Sequence, residues 1–309
     1  MSLETPVVFL IFKRPELTER VFAEIAKARP KRLFVVADAA RSDVDGESDA
    51  VAATRAIIDR VDWPCKLMRN YASKNLGCKQ RISSGLEWAF GHVEEAIILE
   101  DDCLPHASFF PFCEDLLERY RDDDRIGTIR GSNFQNGRSR SEHGYFFSKY
   151  FDCWGWATWR RTWTTYDPEM KSWPAFESAG KLQEMAEFPP ELSFWSWVFR
   201  RQFAGDIDSW AFPWQYSTFS QSQLAVVPDV NLVSNIGFGD CATHTSNHQH
   251  RLANLPTEAL AKMEHPSAVV RDDYADQYAF FNRYGRAKGL RKLYMKFTDY
   301  LEFRSRAAA

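Results

Sequence analysis

The segment 96–102 constrains the fold of this chain more than any other, because four consecutive apolar residues are followed at once by Glu100, Asp101 and Asp102. A run of four apolar residues is typical of a strand that is covered on both faces. Three adjacent carboxylates repel one another, so folding alone gives little reason for them. A divalent cation would remove that repulsion, and Mg²⁺ or Mn²⁺ held by oxygen ligands could in turn bind a diphosphate. A solvated acidic turn is the other interpretation, and the segment alone leaves both open.

Composition and charge exclude several classes of protein. With 309 residues, 45% hydrophobic and 26% charged, the chain has the composition of an ordinary globular protein with a substantial core. The net charge of −3 gives no reason to expect nucleic acid as a partner. No apolar run approaches the roughly 20 residues of a membrane span. The apolar run that starts at Val7 lacks the basic leader and the cleavage site of a signal peptide.

The six cysteines form no CxxC pair and no compact framework. This spacing argues against a zinc ribbon and against a disulfide scaffold. Unpaired cysteines in a chain of this kind are typical of a reducing compartment. We therefore expect a cytoplasmic protein.

Apolar runs of strand length alternate with helical patterns through the first part of the chain. Strands are predicted at 7–12, 33–38, 65–68, 96–99 and 126–130. Helices are predicted from about residue 16 onward and at 50–61, 79–90 and 108–120. This alternation is typical of a mostly parallel, doubly wound sheet. Ligands of such sheets bind at the carboxyl ends of the strands, where Asp38 and the three acids after residue 99 lie.

From residue 131 to about residue 245 the alternation fades, and the chain becomes rich in aromatic residues and turns. Nine of the 11 tryptophans fall into two groups, at 154–173 and 195–214. Large flat rings fill cores and also stack on sugar rings, and core packing is the role we expect for most of them. A helix is predicted at 191–204.

The C-terminal segment 286–306 carries seven basic residues against Asp299 and Glu302. Its apolar residues would line one face of a helix. Such a helix could dock on the rest of the domain or lie on a membrane surface, and the pattern is compatible with both.

Several of these segments together resemble the GT-A glycosyltransferases. The matching features are the basic turn 12–15 after the first strand, Asp38 at the end of the second, the helix 79–90, and the segments 97–102 and 105–110. The chain resembles in particular the N-acetylglucosaminyltransferases of N-glycan processing and related bacterial surface-polysaccharide sugar transferases, which have a tryptophan-rich stretch like 154–160. The similarity covers about residues 5–245.

The resemblance implies an α/β fold of the GT-A type, with a Rossmann-like, mostly parallel sheet, flanking helices and a C-terminal helical extension. It implies a nucleotide-sugar-binding half at 1–130 and an acceptor and catalytic half at 131–250 of the same domain. The C-terminal helical extension would then span 251–309.

The resemblance also implies roles for residues at matching positions. Glu100, Asp101 and Asp102 would form the family's version of the DxD motif. Asp102 would bind Mn²⁺ (or Mg²⁺) directly, and Asp101 would reach the ribose or the water shell of the metal. Asp38 would hydrogen-bond the base, for which uracil is expected, and Arg14 would lie near the nucleotide.

Other candidates keep two interpretations each. His244 would be a second metal ligand or a diphosphate contact, or else a structural histidine. Arg81 would reach the diphosphate or lie on the surface of its helix. Trp154 and Trp156 would form a wall against the donor sugar or the acceptor, or belong to the core.

An inverting transferase needs a general base that takes the proton of the acceptor hydroxyl. The eukaryotic relatives carry this base in an acidic pair between tryptophans, whereas the corresponding stretch 194–197 contains no acid. Asp208 is our candidate in preference to Asp206, because the aromatic segment 210–214 could hold it beside the acceptor. An ordinary polar turn is the alternative interpretation of both acids.

The sequence thus predicts a metal-dependent, inverting glycosyltransferase that moves a sugar from a nucleotide-sugar donor, most simply a UDP-sugar. The acceptor would be a glycan or lipid-linked glycan in bacterial surface polysaccharide synthesis, in the cytoplasm, with 286–306 as a candidate for peripheral membrane contact. A nucleotidyltransferase is one alternative, although the turn 12–15 lacks the glycines that cradle a triphosphate. A non-catalytic carbohydrate-binding module is the other.

Overall fold

The computed structural model describes residues 2–238 and 250–284. The strands are β1 (Val7–Ile11), β2 (Arg32–Ala37), β3 (Lys66–Tyr71), β4 (Glu95–Glu100), β5 (Cys103–Pro105), β6 (Ile126–Arg130), β7 (Tyr145–Ser148), β8 (Trp156–Trp159), β9 (Leu224–Pro228) and β10 (Val233–Asn235). The helices are α1 (Pro15–Ala28), α2 (Glu47–Ile57), α3 (Cys78–Phe90), α4 (Phe109–Arg119), α5 (Arg160–Trp163), α6 (Trp173–Ser178), α7 (Lys181–Met185), α8 (Pro189–Phe203), α9 (Ala211–Ser220) and α10 (Asp273–Arg283).

Eight strands form one sheet in the order β3-β2-β1-β4-β8-β6-β9-β7, and β5 pairs with β10 in a second, two-stranded sheet. Strands β1 to β4 run parallel, β6 and β9 are parallel to each other, and β8 and β7 pair antiparallel to their neighbours. The predicted α/β class, with a mostly parallel sheet and flanking helices, is therefore confirmed. Strands β7, β8 and β9, from 131–250, join the same sheet as β1 to β4 and β6, whereas β10 pairs with β5 in the second sheet.

The central strands are covered on both faces, as their apolar runs predict. In β1, Phe9 packs into the core formed with α1 and α4, whereas Val8 and Leu10 pack into the core formed with α3 and the tryptophans of α5 and α9. Each fully buried side chain of this kind stabilises the fold by about 1.5–3 kcal/mol. The packing on both faces therefore holds the sheet in place, and the loops at its carboxyl edge begin from fixed positions.

Helix α3 packs closely against β2 at Gly85. A Cβ atom at this position would lie closer than 3.0 Å to the side chain of Val36. Both residues are buried. Because α3 begins at the carboxyl edge of the sheet, this contact also fixes where the first turn of α3 lies.

Replacing Gly85 with alanine is expected to destabilise the protein by about 1–3 kcal/mol, because the overpacking outweighs the better helix propensity of alanine. Urea unfolding measures this loss. Glu87→Ala, at an exposed position of the same helix, serves as the control and should change stability little. Val36→Ala combined with Gly85→Ala should recover part of the loss, and full additivity of the two changes would contradict the close contact.

Sequence patterns located the first part of the chain well but not the second. The predicted strands and helices up to residue 130, and the helix at 191–204, are confirmed within a few residues of their ends. Strands β7, β8 and β9 lie in the region where no alternation was seen. Residues 286–306 lie outside the described residues, so the predicted C-terminal helix stays a prediction. No helix of the described part has the length and apolar character needed to cross a membrane.

Candidate active site

The carboxyl ends of the neighbouring parallel strands β2, β1 and β4 open into one cavity of about 440 Å³. The loops that follow these strands and the first turn of α3 form its walls. Six of the residues singled out from the sequence line it together: Arg14, Asp38, Arg81, Glu100, Asp101 and Asp208. Asp208 comes from the loop between α8 and α9, so residues from both halves of the chain share this cavity.

Arg14 connects the acids that follow β4. Its guanidinium donates a hydrogen bond to Oδ1 of Asp101, and its Nη1 lies 2.9 Å from Oδ2 of Asp102. The backbone N–H of Phe12 donates to Oδ2 of Asp101 at 3.2 Å. Asp101 is thus buried with both of its carboxylate oxygens satisfied, and the turn after β1 is fastened to the end of β4.

Burial and neighbouring carboxylates change the pKa values of the acids that follow β4. Burial raises the pKa of Glu100 to about 8, and the neighbouring Asp102 adds to the shift while Arg14 opposes it. Burial also raises the pKa of Asp101, again against the pull of Arg14. Burial disfavours the charge of Arg14, but the surrounding carboxylates outweigh it and raise the pKa of Arg14. Three acids therefore share one internal cation, and the raised pKa values of Glu100 and Asp101 reflect their burial and the repulsion from Asp102.

Asp102 lies at the outer end of the cluster, beside the residues that follow β10. Its side chain is 13% exposed, and its Oδ1 meets the weak thiol donor of Cys103 at 3.4 Å. The backbone N–H of Ile236 donates to its carbonyl oxygen at 2.8 Å. A Cβ atom on Gly237 would lie closer than 3.0 Å to the Asp102 carboxylate. Only glycine at this position leaves the carboxylate where it is.

Asp38 lies at the end of β2, as predicted, but its carboxylate is already engaged. It accepts hydrogen bonds from the backbone N–H groups of Ala39, Leu76 and Gly77 at 2.9–3.1 Å. Asp38 therefore fastens the loop before α3 to the end of β2. The predicted contact with a base stays a prediction, and it would have to be made by the lone pairs that these bonds leave.

Arg81 is buried on α3 rather than on the surface of its helix, at 7% exposure. Its Nη2 donates to the carbonyl and side-chain oxygens of Asn70 at 2.7 and 2.9 Å. Its Nε finds no hydrogen-bond partner among the described residues. Burial lowers the pKa of Arg81, and the charge of Asp38 opposes this. An unpaired buried donor is costly, so a ligand acceptor in this cavity would stabilise it.

Two charged residues that line the cavity, and a buried acid that binds both of them, were not singled out in the sequence. Glu47, at the start of α2, is buried and binds Lys13 at 2.5 Å and Arg41 at 2.6–2.9 Å. These bonds, with the one from Arg41 the strongest, lower the pKa of Glu47 to about 2. Lys13 and Arg41 line the cavity. The adjacent basic pair after β1 was the signal that could have indicated Lys13.

Replacing Glu47 with glutamine is expected to destabilise the protein by about 2 kcal/mol at pH 7. This is less than the 3–5 kcal/mol typical of a broken buried pair, because Lys13 and Arg41 are 29% and 46% exposed and can turn to water. The folded-state pKa lies below the unfolded value, so the contribution is complete above about pH 4.5 and disappears as the pH falls toward 2. Urea unfolding at several pH values should show the difference from wild type narrowing over that range. Asp43→Asn, an exposed acid of the same loop, is the control.

Asp208 is exposed and lines the cavity. Burial raises the pKa of the nearby Cys78 thiol to about 12, with the charges of Glu100 and Asp208 adding to the shift. Among the described residues, no hydrogen bond or ion pair engages the Asp208 carboxylate. The carboxylate is therefore available to a ligand.

The two tryptophans proposed as a ligand wall differ in burial. Trp156, in β8, is fully buried and stacks on Trp210 with ring centroids 5.8 Å apart. It has no surface to offer a ligand, so its assignment as a binding residue is corrected to a core residue. Trp154 is half-buried and packs edge-to-face on Phe134 and Phe238, each at 5.6 Å. Its contact with a sugar stays a prediction. His244 lies outside the described residues.

The donor set fits a divalent cation that is shared with a substrate. Within the described ranges, no three His, Cys, Asp or Glu side chains lie close enough together to hold a metal ion alone. Mg²⁺ and similar ions are commonly bound by one or two carboxylates, with phosphate oxygens and water completing the coordination. The partly exposed Asp102 carboxylate suits this mode.

Comparisons with known proteins give only distant likenesses. No protein-family model matches this chain, and no curated protein is similar to it at a significant level. Solved structures with a similar course of the chain include a UDP-glucose pyrophosphorylase complexed with UDP-glucose, at 12% identity over 53% of this chain and 79% of that chain, with a TM-score of 0.33. A mannosyltransferase from Pyrobaculum calidifontis in complex with GDP-Man and Mn²⁺ has 14% identity over 72% and 70%, with a TM-score of 0.37.

A 4-diphosphocytidyl-2C-methyl-D-erythritol synthase from Anaerococcus prevotii has 8% identity over 72% of this chain and 88% of that chain, with a TM-score of 0.36. None of the three is an N-acetylglucosaminyltransferase, so that particular resemblance stays a prediction.

Proposed function

We propose that this protein is a metal-dependent, inverting glycosyltransferase that uses a nucleotide-sugar donor, with a UDP-sugar as the first candidate. The observation that supports this most is that Asp208, from the second half of the chain, shares one cavity with the strand-end acids and cations of the first half. A donor with a diphosphate needs cations and a metal site at one end, and an acceptor hydroxyl needs a base at the other. We therefore keep the division into a donor half at 1–130 and an acceptor half at 131–250.

The residues of the cavity, together with Asp102 beside it, can each bind a different part of the donor. Arg14, Lys13 and Arg41 offer charged donors to phosphate oxygens, and the unpaired Nε of Arg81 offers another donor in the interior. Asp102 would hold Mn²⁺ or Mg²⁺, which when bound neutralises charge on the departing diphosphate. Asp101 holds Arg14 by a direct ion pair, and the charge of Glu100 also attracts Arg14.

Asp208 would take the proton of the acceptor hydroxyl as that oxygen attacks the anomeric carbon. The bond from the anomeric carbon to the diphosphate oxygen breaks as the new glycosidic bond forms, and the nucleoside diphosphate leaves. Attack from the face opposite the leaving group inverts the configuration of the sugar. A glycan or lipid-linked glycan of surface polysaccharide synthesis is the acceptor we propose, in the cytoplasm, with 286–306 as the candidate for contact with the membrane.

A thermal-shift panel of UDP, GDP, CDP and their common sugars, each with Mn²⁺ or with chelator, tests the donor site. A ligand at about 100 times its dissociation constant stabilises the folded state by ~2.7 kcal/mol, which is readily measured. We expect stabilisation by one nucleotide, dependent on the metal. Absence of any nucleotide effect would contradict the proposal and favour the carbohydrate-binding module.

The product of turnover separates the two enzyme classes. A glycosyltransferase releases a nucleoside diphosphate from a nucleotide-sugar. A nucleotidyltransferase would release pyrophosphate from a nucleoside triphosphate and a sugar phosphate. The turn after β1, Phe12-Lys13-Arg14-Pro15, contains no glycine that would let the backbone close around a triphosphate, and so favours the first class.

A further inference from the structure

Arg14 already occupies the carboxylate that a bound cation would need as its ligand. Its guanidinium contacts the carboxylates of both Asp101 and Asp102, and its side chain is only 15% exposed. A divalent ion on the Asp102 oxygen that faces Arg14 would stand next to a fixed positive charge. Like charges at such a distance repel strongly in a partly buried site, so the guanidinium and the metal ion compete for Asp102.

The two carboxylates hold Arg14 unequally. Asp101 is buried, and its second oxygen is fixed by the N–H of Phe12. Asp102 is partly exposed, and its other oxygen meets only the thiol of Cys103 among the described residues. Asp102 is therefore the partner that Arg14 can release. To do so, Arg14 would turn its Nη1 group away from Asp102 and into the cavity that Arg14 lines.

A diphosphate is the natural new partner for this amino group. Guanidinium groups bind phosphate oxygens by paired, charge-assisted hydrogen bonds. Arg81, whose buried Nε has no acceptor among the described residues, lines the same cavity. It indicates independently that a ligand with acceptor oxygens belongs there.

We propose that Arg14 is a built-in competitor of the metal, so that a divalent cation binds well at Asp102 only when a nucleoside diphosphate has drawn the guanidinium away. The inference rests on the proposed function and adds a coupling between the two ligands. The metal alone binds weakly, and the metal and the nucleotide each raise the affinity for the other. Arg14 is in this sense a positioning residue that acts through Asp102.

Titration of the full-length protein with Mn²⁺, following free Mn²⁺ by its EPR signal, tests this with and without UDP. In the absence of nucleotide, Arg14→Met is expected to bind Mn²⁺ about tenfold more tightly than wild type, a usual size for coupling between two ligands. UDP should tighten Mn²⁺ binding markedly in wild type and much less in Arg14→Met. A merely structural role of Arg14 would weaken metal binding, which is the opposite sign.

A second variant of Arg14 and a control variant complete the test. Arg14→Lys retains a positive charge but has one ammonium group, which cannot contact both carboxylates in the same way, so it should also bind Mn²⁺ more tightly than wild type without nucleotide. It decides the matter if Arg14→Met does not fold. Arg20→Met removes a positive charge from an exposed position of α1, outside the cavity lining, and it should not tighten Mn²⁺ binding.

The proposed function and this inference fail in different ways. If wild type binds no Mn²⁺ even with UDP, the donor site itself is contradicted. If wild type couples UDP and Mn²⁺ but neither Arg14 variant binds Mn²⁺ more tightly alone, competition by Arg14 is wrong and the donor site stands.

Discussion

Replacing Asp102 with alanine is expected to weaken Mn²⁺-dependent nucleotide binding at least 100-fold, about 2.8 kcal/mol. The reason is that Asp102 is the partly exposed acid of the cluster, whereas Asp101 is buried with both oxygens engaged. The metal would lose its protein ligand and the diphosphate its bridge to the protein. Isothermal titration with UDP, in Mn²⁺ and in chelator, measures the loss.

The fold should survive this change. Apart from Arg14 and the thiol of Cys103, the Asp102 side chain has no polar partner in the described part of the chain, and Arg14 keeps Asp101. Asp124→Ala removes an acid that is 93% exposed, and it should leave binding unchanged. Metal-dependent binding that persists in Asp102→Ala would place the cation elsewhere, and His244→Ala in the same assay would test the other predicted ligand.

Local patterns were sufficient for the parts of this fold that are local. The strand 96–99 and the acids after it follow from a buried run and its abrupt end, and the structure has β4 ending at Glu100. Strands β7 and β8 are four residues long and buried at every position. A short strand covered on both faces has no alternation, so periodicity cannot distinguish it from any other apolar segment.

The residues of the site likewise divide into those that local sequence could predict and those that it could not. Residues at strand ends could be predicted, because the carboxyl edge of a parallel sheet gathers them whatever the side chains do. The role of an aromatic residue could not, since the same ring serves a core or a sugar, and only burial separated Trp156 from Trp154. The carboxylate of Asp38 was expected to face a ligand, but two of the three backbone N–H groups that engage it lie 38 and 39 residues away. Long-range packing of this kind leaves no local signal.

Replacing Asp208 with asparagine is expected to lower the turnover number by 10²- to 10⁴-fold, the usual contribution of a general base, and to leave UDP binding within about twofold of wild type. Asp208 lines the donor cavity at its exposed wall, with a carboxylate that no described residue engages, so the amide keeps the shape and removes only the base. UDP release from the donor, with water as the acceptor, measures the effect. Asp206→Asn is the matched control, because Asp206 pairs with Arg201 at 3.3 Å and does not line the cavity. Equal turnover numbers for the two variants would contradict the assignment of Asp208 as the base. A turnover number that falls only in Asp208→Asn, with UDP binding unchanged, would assign proton transfer and not donor binding to Asp208.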